Sequence, residues 1–182
     1  MERSDEMLMA SYRNGDESAL AVLIKRYFDS LYRYAYRLVH TAAAAEDVVQ
    51  ETCIKIWKYA SSFKEDAMVK PWLFRIAHNT AIDYLRKKKQ LNFSDLGGHE
   101  DHNEVFTDEA INVMEQSIVR EAQEQLTSAV ESLPLHYREV MVLRSEGFSF
   151  EEISSTAGKP AATIRSLYRR GLALLRQKLA RE

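Results

Sequence analysis

The chain is expected to be all-α, built as two small helical domains joined by a flexible acidic linker, with a helix-turn-helix as the C-terminal domain. Three observations predict this. Helix-period apolar patterns run through most of the 182 residues, with only three prolines, six glycines and few runs of β-branched side chains. From Gln90 to Val119 there is no lysine or arginine, while Asp95, Glu100, Asp101, Glu104, Asp108, Glu109 and Glu115 are acidic and Leu96-Gly97-Gly98-His99 has no periodicity. The last fifty residues hold a two-helix unit with its start, turn and stop signals all present.

Taken in order, the first helix ends at Asn14-Gly15-Asp16, which also caps the second. The second runs from Leu20 to Val39 and carries Tyr27, Phe28, Tyr32, Tyr34 and Tyr36. A third is expected from about Ala43 to Ser61 and a fourth from Pro71 to about Lys89. These make a domain over residues 1–92, followed by the linker over 93–112. Helical pattern resumes near Asp108 and continues to Ser132, where Leu133-Pro134 breaks it before Tyr137 to Arg144. In the second domain, residues 113–182, Ser149 and Glu152 form a capping box, Gly158 supplies a left-handed stop, and Pro160 suits the first turn of the final helix.

Composition narrows the function classes. A hydrophobic content of 46% supports real cores and excludes disorder throughout. The single Cys53 rules out an internal disulfide, fits a reducing compartment, and reads as a small buried hydrophobe on an apolar helix face rather than a nucleophile. There is no signal peptide and no apolar run near eighteen residues, so a cytoplasmic location is expected. His99 and His102 lack a third ligand, so no metal and no cofactor are expected. No nucleophile–base pair or phosphate loop points to an enzyme.

Three surfaces stand out. Turned at 100° per residue, the final helix gathers Ile164, Tyr168, Gly171, Leu172, Leu175 and Leu179 on one side, and Ala162, Arg165, Ser166, Arg169, Arg170 and Arg176 on the other. Lys159 to Arg181 holds seven basic residues and no acid in a chain of net charge -2, the charge footprint of phosphate contact. On the third helix Glu51, Ile54 and Lys58 lie within about 40° of Asp47, with Gln50 and Trp57 beside them. That stripe is either an ordinary exposed isoleucine or a small apolar centre with a charged rim, as in a protein-binding patch. Residues 75–89 carry Arg75, Arg86, Lys87, Lys88 and Lys89 against Asp83 alone, after a loop bracketed by Phe63, Trp72 and Phe74. Asn79, a poor helix former in mid-helix, can donate and accept at a base edge.

Five stretches in series resemble one family, the extracytoplasmic-function sigma factors of bacterial RNA polymerase, within the sigma-70 family. They are Gly15-Asp16-Glu17-Ser18-Ala19-Leu20, Leu31 to Leu38, Ala45-Glu46-Asp47-Val48-Val49-Gln50-Glu51-Thr52, Pro71-Trp72-Leu73-Phe74-Arg75-Ile76-Ala77-His78-Asn79, and Leu133-Pro134 through Tyr137-Arg138-Glu139-Val140 to the helix-turn-helix. Nearly the whole chain outside the linker is covered, in the family's order. The resemblance implies that Asp47, Gln50, Glu51, Ile54, Trp57 and Lys58 bind core RNA polymerase. It implies that Phe63, Lys64, Lys70, Trp72, Arg75, Asn79, Arg86 and Lys87 handle promoter DNA at the minus-ten element, including an unstacked base. It further implies that Lys159, Thr163, Arg165, Ser166, Arg169 and Arg170 read the minus-thirty-five element in the major groove. An anti-sigma factor partner and a stress or envelope-signal regulon are expected on the same ground, with no direct membrane insertion. The chain departs from the family's pattern at Ala162, Leu167 and Arg169, which bears on the promoter sequence rather than on the helix. The alternative is a stand-alone helix-turn-helix transcription regulator acting without polymerase, in which residues 1–92 would serve as an effector or dimerisation domain.

Overall fold

The structure is a computed structural model that describes residues 3–64, 66–94 and 125–180. Among the described residues it is helical, with no strand. In chain order the elements are α1 (Asp5–Arg13), α2 (Glu17–Val39), α3 (Ala42–Tyr59) with a 3-10 turn over Ala60–Ser62, and α4 (Val69–Ser94). The C-terminal unit holds α5 (residues 125–131), α6 (Leu135–Ser145), α7 (Phe150–Ala157) and α8 (Ala161–Leu179). Most of the expected linker lies outside the described residues; its first two positions, 93 and 94, are the last of α4.

Local chemistry sets the boundaries. Ser4 caps α1 by accepting from the Met7 amide at 3.2 Å, with Asp5 and Glu6 favouring the positive helix start. Asn14 closes α1, Gly15 turns the chain at φ 98°, and Asp16 stands at the N-cap of α2, accepting from the Ser18 hydroxyl. Thr41 caps α3 by accepting from the Ala44 amide. α2 ends at His40, whose φ of 67° is left-handed and, among the described residues, is adopted by no other non-glycine. α4 begins two residues before Pro71, which its first turn tolerates because that N–H needs no partner.

In the N-terminal unit α1, α2, α3 and α4 pack around Leu8, Leu20, Leu23, Leu31, Leu38, Val48, Ile56, Leu73 and Phe74, all essentially inaccessible. In the C-terminal unit α6 crosses α8 at Gly171, where an added Cβ would lie 3.4 Å from the Met141 side chain. A smaller cluster of Ala129, Leu133 and Leu175 joins α5 and α6 to the far half of α8.

One feature has no counterpart in the sequence reading: the two units are docked on each other. α6 packs on α2 and α7 on α4, so a single buried cluster runs from Leu8 through Phe74 and Phe148 to Ile164. Polar contacts fringe it. The Arg37 guanidinium donates to the Ser145 hydroxyl at 2.9 Å and lies 3.7 Å from the Glu146 carboxylate. Lys70 donates to the Glu146 carbonyl at 2.7 Å with its ammonium 4.8 Å from the Phe148 ring centre.

Candidate protein-binding and nucleic-acid surfaces

α3 separates its faces as the wheel predicts. Val48, Val49, Thr52, Ile56 and Ala60 are buried, Thr52 donating its hydroxyl to the Val48 carbonyl, while Cys53 is half-buried and its thiol pKa is raised by that burial. Asp47, Gln50, Glu51, Ile54, Trp57 and Lys58 are all exposed. Ile54 is 62% and Trp57 66% accessible, and the two side chains stand one turn apart on the same exposed stripe. Glu51, on the rim of this stripe, is paired with Lys55 at 3.3 Å.

The residues expected at the minus-ten element fall into two sets. Lys64, Arg75, Asn79, Arg86 and Lys87 are exposed, and Lys88 and Lys89 extend the basic end of α4. Asn79 thus projects to solvent from mid-helix and takes no part in the core. Phe63 is buried and meets half-buried Trp72 edge to face at 5.2 Å, a pair that fastens the loop before α4 to the bundle. Phe74, two residues after Trp72, is fully buried and touches Tyr34 at 5.5 Å and Tyr27 at 6.5 Å between ring centres. Lys70 belongs to neither set, since its ammonium is taken by the C-terminal unit.

The helix-turn-helix has the expected punctuation. Ser149 accepts from the Glu152 amide at 3.1 Å and Glu152 from the Ser149 amide at 2.7 Å, and Gly158 closes α7 at φ 63°. Pro160 occupies the N-cap of α8 and Ser154 donates across the turn to the Lys159 carbonyl. Ile164, Gly171 and Leu175 are buried; Thr163, Arg165, Arg169 and Arg170 are exposed and Ser166 is partly so. Arg165 is hydrogen-bonded to Glu151 at the start of α7, which aims its guanidinium across the mouth of the turn. Lys159 is drawn inward to a 2.9 Å pair with the nearly buried Glu139. Arg144 braces the unit, stacking on Phe150 at 4.7 Å and on Tyr168 at 5.8 Å while donating to the Phe148 carbonyl.

The sequence reading missed the buried polar groups at the joint between the units and directly behind it. Buried His78 of α4 lies 2.9 Å, Nδ1 to Oη, from the fully buried Tyr34 of α2. Burial lowers the His78 pKa, with Glu139 opposing and Lys159 adding to the shift, and it raises that of Tyr34 well above the usual phenol value. His40 stands 4.0 Å from Glu131, but burial, aided by Arg138, pushes its pKa down to about 4, so the contact is no ion pair at neutral pH. Arg138 itself is buried, and its Nε and Nη1 have no hydrogen-bond partner among the described residues. These contacts join residues more than thirty positions apart, so no local pattern announces them.

Among the described residues no group of three His, Cys, Asp or Glu side chains could hold a metal, and no helix is long and apolar enough to cross a membrane. His99 and His102 lie outside the described residues.

The sigma-70 region 2 model matches residues 23–90 and the sigma-70 region 4 model matches residues 123–175. The SigW extracytoplasmic-function RNA polymerase sigma factor of Bacillus subtilis is 30% identical over 186 residues, which cover 98% of each chain. SigE of Mycolicibacterium smegmatis, another sigma factor of that kind, is 32% identical over 173 residues, 92% of this chain and 65% of the longer relative. In fold, the sigma factor RpoE of Bartonella quintana, solved with the anti-sigma factor NepR, superposes with a TM-score of 0.75 at 24% identity, over 91% of this chain and 97% of that one.

Proposed function

Since the chain belongs to the extracytoplasmic-function group of sigma-70 factors, we propose that its α3 stripe is the surface that seats it on core RNA polymerase and that α4 and α8 are its two promoter contacts. The protein is a polymerase-binding sigma factor that directs promoter-specific initiation. It acts without chemistry of its own, in the cytoplasm where polymerase works, and its specificity lies in which DNA it holds. The observation that carries the reading is the paired exposure of Ile54 and Trp57 within the charged rim of Asp47, Gln50, Glu51 and Lys58. A regulator working without polymerase has no use for this stripe. The exposed Asn79 and the basic end of α4 suit capture of a splayed base and its strand. The exposed Thr163, Arg165, Arg169 and Arg170 suit base edges in the major groove. An anti-sigma factor, the kind of partner solved with the Bartonella relative, and a stress or envelope-signal regulon complete the proposal.

The test is co-elution of the purified chain with bacterial core polymerase on size exclusion, beside the Ile54→Glu variant. The wild type is expected to co-elute and the variant, with unchanged helicity, to run free. Binding of both would overturn the interface assignment.

A further inference from the structure

α8 turns Arg165, Arg169, Arg170 and Arg176 outward. Among these, within the described residues, Arg165 alone is tied to α7, and it is tied twice. Its Nη2 donates to the Glu151 carboxylate, and its guanidinium carbon lies 5.8 Å from the centre of the Phe150 ring. That ring is itself held. Tyr168 meets it edge to face with ring centres 5.5 Å apart, and the Arg144 guanidinium lies over it at 4.7 Å. The place of the Arg165 head is therefore set by the first two residues of α7, Phe150 and Glu151, and not by α8 alone.

The fold asks little of Glu151. The capping box of α7 is made by Ser149 and Glu152. The Glu151 and Arg165 side chains are 65% and 51% accessible, and an ion pair so exposed adds little to stability.

Toward DNA the Glu151 carboxylate by itself is unfavourable, because a negative charge beside the phosphates opposes binding at every sequence. Paired with Arg165 it gains a use. Arginine reads guanine through a planar fork whose two bonds must both align, and a free side chain gives up its rotamer freedom to do so. A guanidinium fixed at one amino group and against one ring has already given it up, so its remaining donors meet a base edge at one angle. When the groove closes over the pair and excludes water, the Glu151 contact strengthens. A freed Arg165 would instead reach the nearest phosphate, which carries no sequence information.

On the reading that α8 lies in the major groove of the upstream promoter element, we infer that Glu151 is a positioning residue for sequence recognition. Standing on α7, outside the recognition helix, it holds Arg165 toward one base and away from the phosphates.

The test assembles the full chain with bacterial core RNA polymerase and presents promoter fragments randomised over the upstream element. Sequencing the bound DNA gives the base preference at each position for wild type, Glu151→Gln, Arg165→Ala and the double variant. Arg165→Ala is expected to flatten the preference at one position. Glu151→Gln, which keeps the side chain's size and leaves the cap intact, is expected to weaken the preference at that same position by about fivefold or more while the others hold. It should also bind scrambled duplex more tightly, having lost a charge that repels phosphate. The double variant is expected to match Arg165→Ala. A wild-type profile in either single variant would overturn the inference, as would a further loss in the double variant. Flattening at every position with a lowered thermal midpoint would make Glu151 a structural residue of the helix-turn-helix, and would overturn it too. A wild-type holoenzyme that selects no upstream sequence would overturn the promoter reading of α8 itself, and the positioning role with it.

Discussion

Phe148, in the loop before α7, meets Phe74 of α4 edge to face with ring centres 4.9 Å apart, and both rings are buried. The contact links two units that are far apart in sequence, and Phe74 in turn carries it to Tyr34 and Tyr27. Phe148→Ala removes a buried ring from the joint, where truncation costs about 3–5 kcal/mol if the site does not collapse. Urea denaturation should show a lower midpoint and a split transition, the C-terminal unit melting first. A shift under about 1 kcal/mol with one sharp transition would mean the joint is not held by this ring.

Arg169 is exposed on the outer face of α8, whereas Arg165 is held by Glu151. Arg169→Ala should cost about 1–3 kcal/mol at the cognate upstream element if the side chain reads a base, and much less at scrambled duplex. Loss that is uniform across sequences, with a flatter salt dependence, identifies a phosphate contact instead.

Asn79→Ala should impair promoter opening more than initial duplex binding, because the side chain is solvent-facing and is not required by the fold. The measurement is permanganate reactivity against filter-bound complex. A parallel loss in both would assign Asn79 to duplex contact rather than to the unstacked base.

His78 faces Tyr34 on its own side of the joint and Glu139 and Lys159 on the other. Its native pKa is lowered by burial, so the native state holds fewer protons than the unfolded state once the pH drops below about 6.5. Its contribution is therefore fully present above that pH and is lost as the pH falls through the native value. His40, pushed down to about 4, acts in the same direction. The thermal midpoint should fall between pH 7 and pH 5, and His78→Asn should flatten that fall. An unchanged profile in the variant would place the acid sensitivity elsewhere.

Much of this molecule was legible because its signals are local. The capping box at Ser149 and Glu152, the Gly158 stop and the apolar seam of Ile164, Gly171 and Leu175 each depend on residues a few positions apart. The exposed Ile54 beside Trp57 follows from helical periodicity alone. Helix ends were less certain: α4 begins at Val69, ahead of the expected Pro71, and continues past Lys89 to Ser94, since a helix passes through polar residues without requiring an apolar partner. Illegible in sequence were His40 in a left-handed conformation and the joint at Phe74, Phe148, His78 and Glu139. Phe63, grouped with the DNA-contacting residues on its motif, sits instead against Trp72 in the core, because an aromatic in such a motif reads alike whether it supports the surface or forms it.

The seam of α8 bears on how proteins of this design diversify. The scaffold asks that positions 164, 171 and 175 stay apolar or small, with Gly171 kept where the Met141 side chain approaches, and that Tyr168 keep its ring against Phe150. Thr163, Arg165, Arg169 and Arg170 point away from it. On the proposed reading, a duplicated gene can drift at those outward positions and acquire new target promoters without passing through an unfolded intermediate, while the proposed polymerase contact on α3 is inherited intact.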